Sequence, residues 1–265
     1  YFAGIYFGSY SVTVGAFIGS LIYVAFSYMG AAKAALAFNG AKEIQKKDNP
    51  RLWRIVENLA ITNGMPMPKV YIMDDPGLNA FATGRDPDHA YVAITSGLLN
   101  TLEDTEVQGV MAHEMGHVKN YDIRVSMIVF GLVAIISILA DIFLRISFFG
   151  GGDDENNSSP ILMVAGIAAM ILAPVIAVFI QAAISRKREY LADATGALTT
   201  RYPEGLATAL EKIRDHGSAM KRQNTSTAHL FFASPLKKKS FMSLLSTHPP
   251  IDDRIAKLRN MGLKV

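Results

Sequence analysis

The sequence predicts a mainly α, multi-pass membrane protein with a small β-sheet in a cytoplasmic globular part. Three observations predict it. Residues 1–32, 126–140 and 161–184 contain no charged residue, and apolar character runs on from 140 to 149. About 20 apolar residues suffice to cross a bilayer. Of the 265 residues 50% are hydrophobic and only 18% charged, against roughly 25% charged in a soluble protein. Finally, short alternating runs precede one long helical pattern between the first and second uncharged stretches.

Residues 1–32 are the first expected span. The run carries Gly15, Gly19 and Ser20, small residues that suit close helix packing in lipid. It lacks the basic start of a signal peptide and is too long for one. The chain begins at Tyr1, and a further N-terminal segment is expected before it. Then Lys33, Lys42, Lys46, Lys47, Arg51 and Arg54 follow closely. Such an excess marks the cytoplasmic side, so 33–124 is read as cytoplasmic.

Within that part, residues 50–63 read as an amphipathic helix stopped by Gly64 and Pro66. Residues 69–73 alternate as a strand. Residues 79–83 and 90–95 read as two more, around the turn 84–88. A helix is expected to start near Thr101, with Glu103, Asp104 and Glu106 on its positive first turn.

Residues 125–149 form the second expected span. Asp141 and Arg145, four apart near its far end, read as an interfacial ion pair or a snorkelling arginine. Residues 150–160 are a polar extracytoplasmic loop with two Asp, one Glu and no basic residue. Residues 161–184 are the third span, with Pro174 tolerated inside it. Residues 185–265 return to the cytoplasm, opening on Arg186-Lys187-Arg188. There 206–213 and 251–258 read as helices and 217–240 as polar and irregular. The triplet Lys237-Lys238-Lys239 is a solvated loop or a contact to anionic lipid. The chain has no cysteine, which excludes disulfides and thiolate metal sites. With a net charge of only +3, no nucleic-acid partner is expected.

Chemistry concentrates at His113-Glu114-Met115-Gly116-His117. On a helix, i and i+4 share a face, so both imidazoles can address one ion, while Glu114 flanks that face as a candidate general base. Zinc needs a third protein ligand. The candidates are carboxylates and His89, His216, His229 and His248. Glu189 stands out. It follows the third span by about five residues, or about 8 Å of helix, and His117 precedes the second by about eight, or about 12 Å. Helices running on from both spans would bring His113, His117 and Glu189 to one height above the membrane. Asp193, four residues on, is placed to accept the other ring N–H of a ligand histidine. His89, His216 and His229 are not expected to be ligands.

The histidine motif, the run Ser185-Arg186-Lys187-Arg188-Glu189-Tyr190-Leu191-Ala192-Asp193, the tetrapeptide Asn79-Ala80-Phe81-Ala82, and Ser246-Thr247-His248-Pro249-Pro250 with Arg254 together resemble the HtpX membrane metalloprotease family. That family is related to the CAAX prenyl proteases. The resemblance implies a zincin-like, gluzincin-type catalytic part holding one Zn2+ per chain. It implies His113, His117 and Glu189 as ligands, Asp193 orienting a zinc histidine, and Glu114 as catalytic base. It further implies His248 near the oxyanion, Arg254 pairing around Glu189 and Asp193, and Asn79, Ala80, Phe81 and Ala82 as an edge strand that holds an extended substrate. Asp122 recurs in the family without an assigned role. The expected activity is endopeptidase quality control of membrane proteins at the cytoplasmic face of the cell membrane, with self-cleavage and with other quality-control proteases as partners. A prenyl-type processing protease and a non-catalytic zinc scaffold are the alternatives.

Overall fold

The computed structural model describes residues 11, 14–15, 18–19, 22, 30, 32–124, 186–217, 220–221, 231–232 and 249–262. The second and third expected spans, the 150–160 loop and most of the first span lie outside the described residues. So do Asp141, Arg145, His229, the lysine triplet and His248. Among the described residues no helix is long and apolar enough to cross a membrane.

A four-stranded mixed sheet and a set of helices make the described body. Strand β1 (Ala41–Glu43) pairs antiparallel with β2 (Lys69–Met73), which pairs parallel with β4 (Ala90–Thr95). Strand β3 (Ala80–Gly84) pairs antiparallel with β4 and closes the order β1-β2-β4-β3. Helix α1 (Pro50–Asn63) lies between β1 and β2. It starts where the Asn49 side chain accepts the Leu52 N–H and stops at Gly64, whose φ of 63° suits a residue without a Cβ.

The helix expected from near Thr101 is α3 (Asp104–Lys119), and a short helix that the sequence did not suggest, α2 (Ser96–Thr101), precedes it. A capping box divides them. The Glu103 side chain accepts an amide of the first turn, and the Glu106 carboxylate accepts the Glu103 N–H at 2.8 Å. Helix α4 covers 186–200. Helix α5 (Pro203–His216) and helix α6 (Ile251–Gly262) run longer than their apolar patterns suggest.

Alternation along the strands sorts the core onto two faces. Val70, Ala80, Ala82, Val92 and Ile94 face Leu52, Val56, Leu59, Val110, Met111 and Met115 of the helices. On the other face Met73, Phe81 and Ala93 meet Leu36, Met220 and Phe231. Phe231 and Phe232, within the region 217–240 expected to be irregular, contribute to the sheet. Phe231 bridges antiparallel to Phe81, and the Phe232 N–H donates to the Ala80 carbonyl at 2.8 Å.

Two glycines set the distance between α3 and α4. A Cβ on Gly196 would stand 3.0 Å from the His113 backbone nitrogen, and one on Gly116 would stand 3.2 Å from the Ala192 carbonyl oxygen. With no side chain at either position, the two backbones come close enough for short carboxylates on α4 to reach the imidazoles of α3.

Candidate metal centre

Helix α3 presents His113 and His117 one turn apart, and α4 presents Glu189 across from them. The two Nε2 atoms are 3.1 Å apart. His117 Nε2 lies 3.3 Å from Glu189 Oε1, and His113 Nε2 lies 3.7 Å from Glu189 Oε2. These residues form a group whose ligand atoms all lie within 4.8 Å of one another. A tetrahedral zinc with bonds of about 2.0–2.2 Å has ligand–ligand edges of about 3.3–3.6 Å. The three separations scatter around that edge.

The rear nitrogens are both held. His113 Nδ1 lies 2.8 Å from Asp193 Oδ1, and His117 Nδ1 lies 2.8 Å from Asp122 Oδ2. An ionised carboxylate only accepts, so each Nδ1 carries the proton and donates it. In the neutral imidazoles each Nε2 then offers its lone pair toward Glu189. This is the tautomer a metal ligand needs.

Each of those carboxylates meets an arginine. Arg254 of α6 is 1% exposed. Its Nε donates to Asp193 Oδ2 at 2.9 Å and its Nη2 to Asp193 Oδ1 at 2.7 Å, a two-pronged pairing. Its Nη1 lies 3.3 Å from Glu189 Oε2. Behind it, the Phe232 ring lies 4.7 Å under the guanidinium and 4.9 Å from the His113 ring. On the other side Arg188 Nη2 donates to Asp122 Oδ1. With both imidazoles neutral and Glu114 ionised, as metal binding requires, the four buried carboxylates Glu114, Asp122, Glu189 and Asp193 face two guanidiniums, a net charge of −2 that one divalent cation balances. The donor set fits zinc in geometry, tautomer and charge.

The electrostatics follow from burial and these partners. Burial, reinforced by the Arg254 charge, pushes the His113 pKa down to about 4, so it stays neutral. Burial also opposes the charge on His117, but Asp122 and Glu189 outweigh it and lift this histidine to about 10. Glu114 is pushed up to about 7, first by burial and then, against the pull of His117, by the neighbouring Glu189. The Ala82 amide donates to its carboxylate. For Asp193 burial acts upward, and Arg254 with His113 overcomes it to hold the group at about 2.

His113, His117, Glu189, Asp193, Arg254 and Glu114 therefore converge. Ala82 touches the base. Ala80 and Phe81 lie on the edge strand, but Phe232 and Phe231 occupy part of that edge, so the expected open strand is partly covered by the chain itself. Asn79 is buried beside Thr95, its N–H donating to Thr95 Oγ1 at 3.1 Å. His89 sits at the surface against Asp86, and exposed His216 ends α5. Asp122, named from the family resemblance without a role, and Arg188, read only as a basic flank, were not expected at the site. Asp122 is five residues from His117, off its helical face, and Arg188 reads as one more basic residue beside a span.

Comparison with known proteins gives the same answer from another direction. The model of peptidase family M48 matches residues 46–262. A protease HtpX homolog of Tropheryma whipplei (strain Twist) is 52% identical over 240 residues, 91% of this chain and 82% of that one. One of Listeria monocytogenes serotype 4a is 46% identical over 264 residues, 95% and 85% of the two chains. The crystal structure of S. mikatae Ste24p is similar in fold, with a TM-score of 0.58 at 21% identity. The match covers 94% of this chain and 58% of that one. A family model spanning most of the chain, together with relatives about half identical to it, means that the chain belongs to peptidase family M48, a family of metalloproteases.

Proposed function

We propose that this chain is a zinc-dependent endopeptidase of the cell membrane that cleaves membrane proteins at or near their cytoplasmic segments, in quality control of damaged or misfolded chains. The observation that carries the chemistry is the triangle of two Nε2 atoms and the Glu189 carboxylate, each imidazole anchored behind by an aspartate. The membrane setting rests on the uncharged runs 1–32, 126–140 and 161–184 and the basic flanks of the first and third.

His113, His117 and Glu189 would hold the ion. Once bound, zinc supplies Lewis-acid polarisation of the scissile carbonyl and acidifies water. The protein's own part is proton handling and orientation. Glu114 takes the proton of the attacking water on its carboxylate and passes it to the leaving amine. Its burial beside Glu189 raises its proton affinity, which suits a group that must both accept and return a proton. The Ala82 amide fixes the carboxylate and ties the base to β3. Asp193, itself held by Arg254, orients His113, which burial and the Arg254 charge keep neutral. Of the strand 79–82, Ala82 lies beside the base where an extended peptide would pair, while Asn79 is buried and Phe231 and Phe232 already pair with Phe81 and Ala80, and His248 is assigned to the developing oxyanion.

The deciding experiment is Glu114→Gln in the purified full chain, scored for zinc content and for cleavage of a membrane-protein substrate with and without chelator. Zinc should stay at one per chain while cleavage disappears. Cleavage at the wild-type rate would remove Glu114 from the mechanism. Loss of zinc together with activity would reassign it to the metal site.

A further inference from the structure

Both zinc-facing imidazoles are backed by a carboxylate and an arginine, yet only the His113 side was legible in advance. On the His117 side the carboxylate is Asp122, just beyond the end of α3. The chain reaches it through Tyr121, which has a φ of +58°. A tyrosine in the left-handed region costs energy that a glycine would not. Such strain persists only where surrounding contacts enforce it. Here it turns the backbone so that Asp122 comes back under His117. Asp122 is 4% exposed, with Oδ2 at 2.8 Å from His117 Nδ1 and Oδ1 accepting from Arg188. Arg188 directly precedes Glu189 on α4. Consecutive residues of one helix thus grip His117 from both sides: Glu189 at Nε2 and, through Asp122, Arg188 at Nδ1.

We propose that Asp122 and Arg188 are positioning residues for the metal ligand His117. Asp122 takes the Nδ1–H and so directs the Nε2 lone pair at the ion. Arg188 acts through Asp122 and makes that orientation depend on the seating of α4. The inference rests on the zinc-centre reading above. An ordinary ion pair stapling the 120–124 turn to α4 would leave metal binding untouched, and this is where the two accounts part.

The test measures zinc affinity of the full chain by chelator competition, together with the visible absorption of the cobalt-substituted protein. Thermal unfolding of the zinc-saturated protein serves as the folding control. Asp122→Ala should weaken zinc by about 10–100-fold and alter the cobalt bands. Asp122→Asn, which keeps an acceptor for Nδ1–H, should lose less. Arg188→Met should weaken zinc several-fold in the wild-type background and add nothing in the Asp122→Ala background, because it acts through the same group. Should Asp122→Ala not accumulate, Asp122→Asn and Arg188→Met carry the test: an unchanged zinc constant and cobalt spectrum in both overturns the proposal. Additive losses in the double variant overturn the part assigned to Arg188. His113→Ala is the reference. If it loses zinc while Asp122→Ala keeps wild-type affinity, this inference alone fails. If His113→Ala keeps zinc, the metal centre itself is misassigned.

Discussion

Zinc binding should expel protons at a pH where ordinary histidines and glutamates have none to give. Without the ion, His117 titrates at about 10 and Glu114 at about 7. At pH 8 His117 is then almost fully protonated and Glu114 about one-tenth protonated, so about 1.1 protons are available. At pH 7 the sum is about 1.5. Free histidine and glutamate, near 6.5 and 4.3, would together release under about 0.05 proton at pH 8. A ligand imidazole must be neutral, and the ion's charge favours the ionised Glu114, so binding drives both protons off. The sign follows: zinc competes with protons, and affinity must rise with pH, about tenfold per unit between 7 and 9. Isothermal titration at pH 8 in buffers of different ionisation enthalpy reads the proton count directly. Release below about 0.3 proton would refute the reasoning, because it would mean that Asp122 and Glu189 do not hold a cationic His117 between them.

Other perturbations have equally definite outcomes. Gly196→Ala should drive α4 off His113 by a few tenths of an ångström, costing about 1–3 kcal/mol of stability and loosening zinc, as thermal unfolding and chelator competition would show. Arg254→Met strands Asp193 in the interior and should cost the zinc-free protein about 3–5 kcal/mol, with a smaller loss in the zinc-saturated protein because the dication offsets the uncovered charge; equal losses in the two forms would count against that compensation. Tyr121→Gly removes the left-handed penalty, so it should leave zinc affinity within about threefold of wild type and thermal stability unchanged or slightly raised. The acid limb of cleavage in the zinc-loaded enzyme should fall below pH 7, since the bound charge lowers Glu114 from about 7, and a limb above 7 would point to a different base.

What could be read from the chain follows from the range of the interaction involved. Local periodicity marks β2, β4 and α1 almost residue for residue, because alternation and capping are decided within a few positions. The histidine pair and the Glu189/Asp193 pair are each one helical turn, so spacing alone puts their side chains on common faces. The acidic first turn placed the start of α3 within a few residues, whereas α2 escaped because its six residues are too few to show a helical period. The role of Asp122 escaped for a different reason. Its contact depends on a backbone reversal at a non-glycine residue, and nothing in Asn120-Tyr121-Asp122 advertises a positive φ. The pairing of Phe231 and Phe232 with β3 spans about 150 residues and is decided by tertiary packing, so a polar neighbourhood concealed it.

The arrangement also explains why one helix carries so much of the site. Helix α4 supplies the third ligand at 189, the anchor of His113 at 193 and the clamp on Asp122 at 188. Its close approach at Gly196 fixes the depth at which all three meet α3. A displacement of α4 therefore perturbs both imidazoles at once, through Asp193 on one and Asp122 on the other. An ion bound between His113, His117 and Glu189 joins segments more than 70 residues apart in the chain, and closing a loop of that length is where a cross-link contributes most. Metal affinity and the docking of α4 are thus a single equilibrium. Any substitution that weakens the α3–α4 contact, even one far from the ligands, has to appear as weaker zinc binding, and added zinc has to restore the contact in proportion.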